Sequence, residues 1–119
     1  MKIQTKSVLL AITILPPFAY ASYFKCDCTI TQIRLYQNTD LAVVYTDSER
    51  DEASIPSCAQ GSSVLAQGLA INTKEHPAIF STLLAAQMSG KKLAVLEGSG
   101  SCTHNSVVED LYQIAINNN

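Results

Sequence analysis

The chain has 119 residues, with 10 acidic against 8 basic side chains, four cysteines, two histidines and no tryptophan. A net charge of −2 argues against nucleic acid or an anionic membrane surface as a partner, since either wants a basic face. The length gives one domain with a thin hydrophobic core.

Residues 1–21 read as a secretory signal peptide. Lys2 and Lys6 form the basic start, residues 8–15 a short apolar run, and Pro16 and Pro17 break it before Ala19-Tyr20-Ala21, a small-x-small cleavage site. The run is too short to span a bilayer as a mature helix, and no second one follows, so no transmembrane segment is expected after cleavage. Cleavage leaves residues 22–119 as the mature domain, with six basic side chains against ten acidic ones and a net charge of −4. A secreted or periplasmic location follows, and all four cysteines (Cys26, Cys28, Cys58, Cys102) lie in the mature part.

The first strand is expected over residues 28–37, rich in Thr, Ile, Leu and Tyr. Its apolar phase changes between Ile30 and the pair Ile33/Leu35, which predicts a bulge or sharp coil. Asn38-Thr39-Asp40 is a tight turn into a second strand at 41–47. Both faces of that strand are apolar, with Leu41, Val43 and Tyr45 on one and Ala42 and Val44 on the other. A small barrel has one inside, so a second subunit is the expected cover for the outer face.

Residues 47–63 are polar, with an acidic cluster of Asp47, Glu49, Asp51 and Glu52. The cluster lacks the ordered ligand spacing of a calcium loop, and the segment reads as a solvated hairpin loop. A third strand is expected over residues 64–71, bent at Gly68. The helix starts after His76, with Pro77 in its first turn, and stops at Gly90. Ile79, Phe80, Leu83, Leu84 and Met88 form its expected apolar stripe, and Ala78, Ser81, Thr82, Ala85 and Ser89 a smooth, nearly uncharged outer face. Strand four covers residues 92–97. Strand five covers 107–116, with Val108, Tyr112, Ile114 and Ile116 expected on one face. Gly98-Ser99-Gly100-Ser101 is a turn; no helix follows it, which rules out a phosphate-binding loop.

Four cysteines allow three pairings. Cys58 and Cys102 precede and follow the strand-helix-strand unit and are expected to pair. Cys26 and Cys28 either close a small ring with each other or pair with distant partners. A metal set of Cys26, Cys28, Cys102 and His104 matches no common zinc spacing, so neither metal nor cofactor is expected.

Catalysis has thin material. Thr103, His104 and Ser106 with Glu109 or Asp110 can be drawn as a triad, but such close neighbours alternate across an extended strand. Binding is better supplied. Tyr23, Tyr36, Tyr45 and Tyr112 are aromatic platforms, and neutral polar residues cluster at Thr29, Thr31 and Gln32 and from Ser99 to Ser106. A hydroxyl-rich rim with a stacking face suits a sugar. The candidate ligand residues are Thr29, Thr31, Gln32, Tyr36, Ser101, Thr103 and His104.

The element order, three strands, a helix and two strands, is that of a five-stranded OB-fold barrel, mainly β with one helix. With Cys58, the helix FSTLLAAQMSGKK running into LAVLE, the turn cysteine of GSGSC and a final strand of type E-D-L-x-x-I-x-I, the chain resembles a group of small secreted proteobacterial proteins. That group is similar to the B subunits of subtilase-type and pertussis-like AB5 toxins. The resemblance covers residues 29–116 and implies an OB-fold homopentamer that binds sialylated cell-surface glycans, its helices around a central axis. The residues by themselves also allow a monomeric periplasmic or envelope protein of structural or inhibitory role.

Overall fold

A computed structural model describes residues 23–117; the expected signal peptide and its cleavage site lie outside them. The described residues form one sheet of six strands and one helix. In chain order they are β1 (Tyr23–Cys28), β2 (Ile30–Leu35), β3 (Leu41–Thr46), β4 (Leu69–Asn72), α1 (Pro77–Ser89), β5 (Leu93–Gly98) and β6 (Glu109–Ile116). The strands lie in the order β1-β5-β6-β4-β3-β2, so the curled sheet, half of a barrel, begins and ends with strands that are neighbours in sequence.

The single first strand expected over 28–37 is instead two. Asp27 takes a left-handed φ of 36°, which breaks the run, and the end of β3 clips the break. The Thr29 N–H donates to Asp47 Oδ1 at 2.8 Å, and the Asp47 N–H donates to the Thr29 carbonyl at 3.0 Å. β1 then pairs with β5 and β2 with β3. The expected bulge is present: Ile30 and Gln32 face the consecutive residues Thr46 and Tyr45, which leaves Thr31 as the extra residue. Cys26 and Cys28 close the small ring. β4 and β6 run parallel, through Leu69↔Glu109 and Ala70↔Asp110, and α1 with β5 supplies the long crossover such a pair requires.

The helix begins and ends where proline and glycine set it. Pro77 stands in the first turn, and Gly90 caps the end at φ 68°, a conformation that costs a residue without Cβ little. Leu83 and Ala86 are buried, with Ile79 and Phe80 packed beside them on the main core of Ile30, Val44, Leu69, Ile71, Leu93, Leu96 and Leu111. Met88 is 88 % exposed and is not part of the stripe: five residues at ~100° each turn it about 140° away from Leu83, and Ala86 takes the inward position.

Three other expectations are corrected by packing. The third strand starts at Leu69, not at residue 64, because Leu65–Gln67 form a 3-10 turn. Gly68 is needed there for space: a Cβ would stand 2.5 Å from Val43 Cγ1. The outer face of β3 is covered from within the chain, where Val43 and Tyr45 pack with Ala70 and Val108 under Leu41 and Leu65. On β6 the core residue is Leu111, and Tyr112 is 61 % exposed. Gln113 and Leu111 face the consecutive residues Glu97 and Gly98. The extra residue, Tyr112, switches the phase of the strand, so that Leu111, Ile114 and Ile116 reach the same core.

The segment after β3 is also more than a solvated loop. Ile55, Ala59 and Ala66 make a small core of their own against Cys102, and the expected Cys58–Cys102 disulfide ties it to the β5–β6 connection. Arg50 is buried, and its guanidinium donates to Glu109 Oε1 and to the carbonyls of Ala66 and Gly68 at 3.1 and 3.4 Å.

Candidate functional site

The β2–β3 turn and the β4–α1 connection lie at one end of the sheet, and the β5–β6 connection, which enters β6 beside the start of β4, brings His104 to them. Each is shaped by short polar side chains. Asn38 takes a left-handed φ of 61°, and the Thr39 hydroxyl donates to the Tyr36 carbonyl at 2.9 Å and accepts the Leu41 N–H at 3.2 Å. The Asp40 carbonyl accepts both the N–H and the hydroxyl of Thr73, at 2.8 and 3.2 Å, which joins the turn to the β4–α1 connection. There Asn72 Oδ1 accepts the N–H groups of Lys74 and Glu75, each at 3.0 Å, and bends the chain into α1.

The β5–β6 connection is held by two consecutive acids at the start of β6. Glu109, wholly buried, meets Arg50 on one side and accepts the Gly100 N–H at 3.1 Å. Gly98 leaves room for it, since a Cβ there would stand 2.3 Å from the Glu109 carboxyl carbon. Asp110 takes the Thr103 N–H at 2.9 Å, the Thr103 hydroxyl at 2.5 Å and the His104 N–H at 3.0 Å. A carboxylate holding three donors fixes its loop firmly, and His104 is carried at a set position.

These connections enclose a cleft of about 160 Å³ lined by Thr39, Asp40, Leu41, Asn72 and His104. Asp40 brings a carboxylate that accepts hydrogen bonds and Asn72 an amide NH₂ that donates them, with Leu41 as an apolar wall. Neither the Asp40 carboxylate nor the Asn72 NH₂ is hydrogen-bonded among the described residues. A larger hollow of about 290 Å³ lies over the segment after β3, lined by Glu52, Ile55, Gln60, Ser62, Ser63, Ala66 and Gln67. Each of its two glutamine amides is tied to the chain through one group: Gln60 Nε2 donates to the Ile55 carbonyl at 2.9 Å, and Gln67 Oε1 accepts the Arg50 N–H at 2.7 Å.

Beside the smaller cleft the two histidines come together. Their ring centroids lie 6.4 Å apart at an interplanar angle of 63°. Glu75 joins them, and the ligand atoms of Glu75, His76 and His104 all lie within 4.8 Å of one another. Glu75 and His76 are exposed and His104 is half-buried.

Of the seven residues expected to bind ligand, His104 lines the cleft, and Tyr36 closes the turn that carries Thr39 and Asp40. Thr31 and Gln32 are exposed along β2. Thr29 sits at the far end of that strand, about 20 Å from Tyr36 at ~3.3 Å per residue, clipped to Asp47. The Ser101 hydroxyl meets Ser99 at 3.0 Å, and the Thr103 hydroxyl is taken by Asp110. Asp110 therefore holds backbone and hydroxyl groups of the loop, and the drawn triad with Ser106 is not assembled among the described residues. Tyr45 is 9 % exposed and offers no platform.

Sequence reasoning missed Asp40, Asn72 and Glu75, and took His76 only as the start of the helix. The available signal was turn chemistry, Asn-Thr-Asp at 38–40 and Asn72 ahead of the helix, which accounts for local shape without naming a site. Comparison with protein-family models, with curated proteins and with solved structures finds no match.

Proposed function

We propose that this chain is a secreted or periplasmic, non-catalytic binding module of OB-fold type that takes a glycan in the cleft of Thr39, Asp40, Leu41, Asn72 and His104. The observation that carries the reading is the convergence of three connections on a carboxylate and an amide that the described fold leaves for a ligand. The strand order supports the fold reading. If β1 and β2 are two halves of one curled strand, the order β1-β5-β6-β4-β3-β2 becomes a ring of five with the helix between its third and fourth members. OB-folds use the loops after the first and fourth such strands to bind oligosaccharides. Both of those loops line this cleft.

Asp40, the neighbouring Glu75 and the net negative charge favour a neutral sugar over a sialylated one, because an anionic ligand would meet like charge. A glycan array probed with the tag-free mature protein tests the reading. Neutral hydroxyl-rich glycans are enriched, and Asp40→Ala weakens the signal at least about tenfold, the loss of a charge-assisted hydrogen bond. An array without enrichment, or enrichment that Asp40→Ala leaves intact, refutes it.

The assembly reading rests on the outer face of α1. Ala78, Ser81, Ala85, Met88 and Ser89 are exposed there. The Thr82 and Ser89 hydroxyls donate back to the Ala78 and Ala85 carbonyls at 2.8 Å each, so the face presents little that water must satisfy. A second copy's α1 is the partner that fits such a smooth surface, in a ring of five as the resemblance implies. Light scattering of the purified protein decides: five times the mature mass supports the ring, and a monomer at micromolar concentration removes it while leaving the cleft untouched.

A further inference from the structure

We propose that Glu75, His76 and His104 bind one divalent transition-metal ion of the zinc class. The chain has two histidines, and the fold brings both, from the start of α1 and from the β5–β6 connection, into ring contact at 6.4 Å between centroids. A carboxylate completes the group, with every ligand atom within 4.8 Å of the others. Two imidazoles and one carboxylate are a set that zinc accepts while keeping a fourth position open. Copper and nickel share the taste for imidazole, whereas magnesium and calcium want oxygen alone.

The side chains are available for this task. His76 stands at the N-cap of α1 and makes no capping hydrogen bond, and Asp110 grips His104 through its backbone N–H, which leaves the imidazole to a ligand. Metal bonds of ~2.0–2.2 Å place tetrahedral ligand atoms about 3.4 Å apart. The three side chains close by at most about 1.4 Å to reach that spacing, a rotamer adjustment open to the exposed Glu75 and His76. Because His104 also lines the cleft, the metal stands at its rim.

The inference does not depend on sugar binding, since the test uses metal alone. Tag-free, chelator-treated protein with its disulfides intact is titrated calorimetrically with zinc chloride, and with cobalt(II) followed by visible absorption. One equivalent per chain is expected, with the intense visible bands of four-coordinate cobalt. His76→Ala and His104→Ala each weaken binding at least about tenfold. Glu75→Gln, an isosteric change on an exposed side chain, weakens it less and serves if a histidine variant fails to fold. No binding, half an equivalent per chain, or variants that bind as the parent does would overturn the proposal. A protein that binds zinc but no glycan keeps this site and loses the lectin reading, and the reverse result separates them equally.

Discussion

At the residue scale the described fold is held by side chains that do opposite things with burial. Arg50 and Glu109 are charged and almost wholly inaccessible, at 1 % and 0 %. Desolvating such a pair is costly, and its net worth over apolar residues is small, but removing one partner strands the other charge. Arg50→Ala should therefore destabilise by about 3–5 kcal/mol, read as a lower urea midpoint with disulfides intact. Adding Glu109→Gln should recover part of the loss. A shift below about 1 kcal/mol would mean that the pair anchors nothing. Tyr45 is the converse case. Burial raises its pKa above the ordinary 10.0, against a smaller lowering by Arg34, whose guanidinium lies 5.1 Å from the ring centre. Its hydroxyl has no hydrogen-bond partner among the described residues. A raised folded pKa contributes stability that is whole below the unfolded value near 10 and is lost as pH climbs through the folded value. Tyr45→Phe should thus gain about 1 kcal/mol at neutral pH and flatten the loss of stability above pH ~10. Thermal melts at pH 7 and above 10 check both, and an unchanged alkaline slope would contradict the assignment.

At the element scale, what could be read in advance depended on whether the signal was local. The bounds of α1 were legible because Pro77 and Gly90 act within a turn of where they stand. The Cys58–Cys102 pairing was legible because the two cysteines bracket a unit that must fold back on itself. The phase of β6 was not, since an extra residue at Tyr112 reverses which side chains face inward, and a bulge is set by the partner strand. The Arg50–Glu109 pair spans 59 positions, and no pattern in the polar segment around Arg50 announces it. The cleft was half legible: His104 stood out as a rare side chain, whereas Asp40 read as an ordinary turn former and nothing in the pattern singled out Asn72. The correction to α1 has its own test. Leu83→Ala should cost about 2–5 kcal/mol as a core truncation, while Met88→Ala should stay within about 0.5 kcal/mol in the isolated chain. Equal costs would restore the original stripe.

At the scale of the molecule the parts depend on one another through a few ties. The Cys58–Cys102 link joins residues 44 positions apart, which is worth about 4 kcal/mol in the chain-entropy account. It fastens the packed segment after β3 to the loop that carries His104. No helix among the described residues is long and apolar enough to cross a membrane, and the disulfide is compatible with an oxidising compartment. The central claim is that three connections make one glycan site, and amide chemical shifts during titration with a panel of neutral and sialylated oligosaccharides test it most directly. The account predicts saturable shifts at Thr39, Asp40, Leu41, Asn72 and His104 with a neutral sugar. Shifts confined to Thr31 and Gln32 on β2, or none with any sugar, would contradict it.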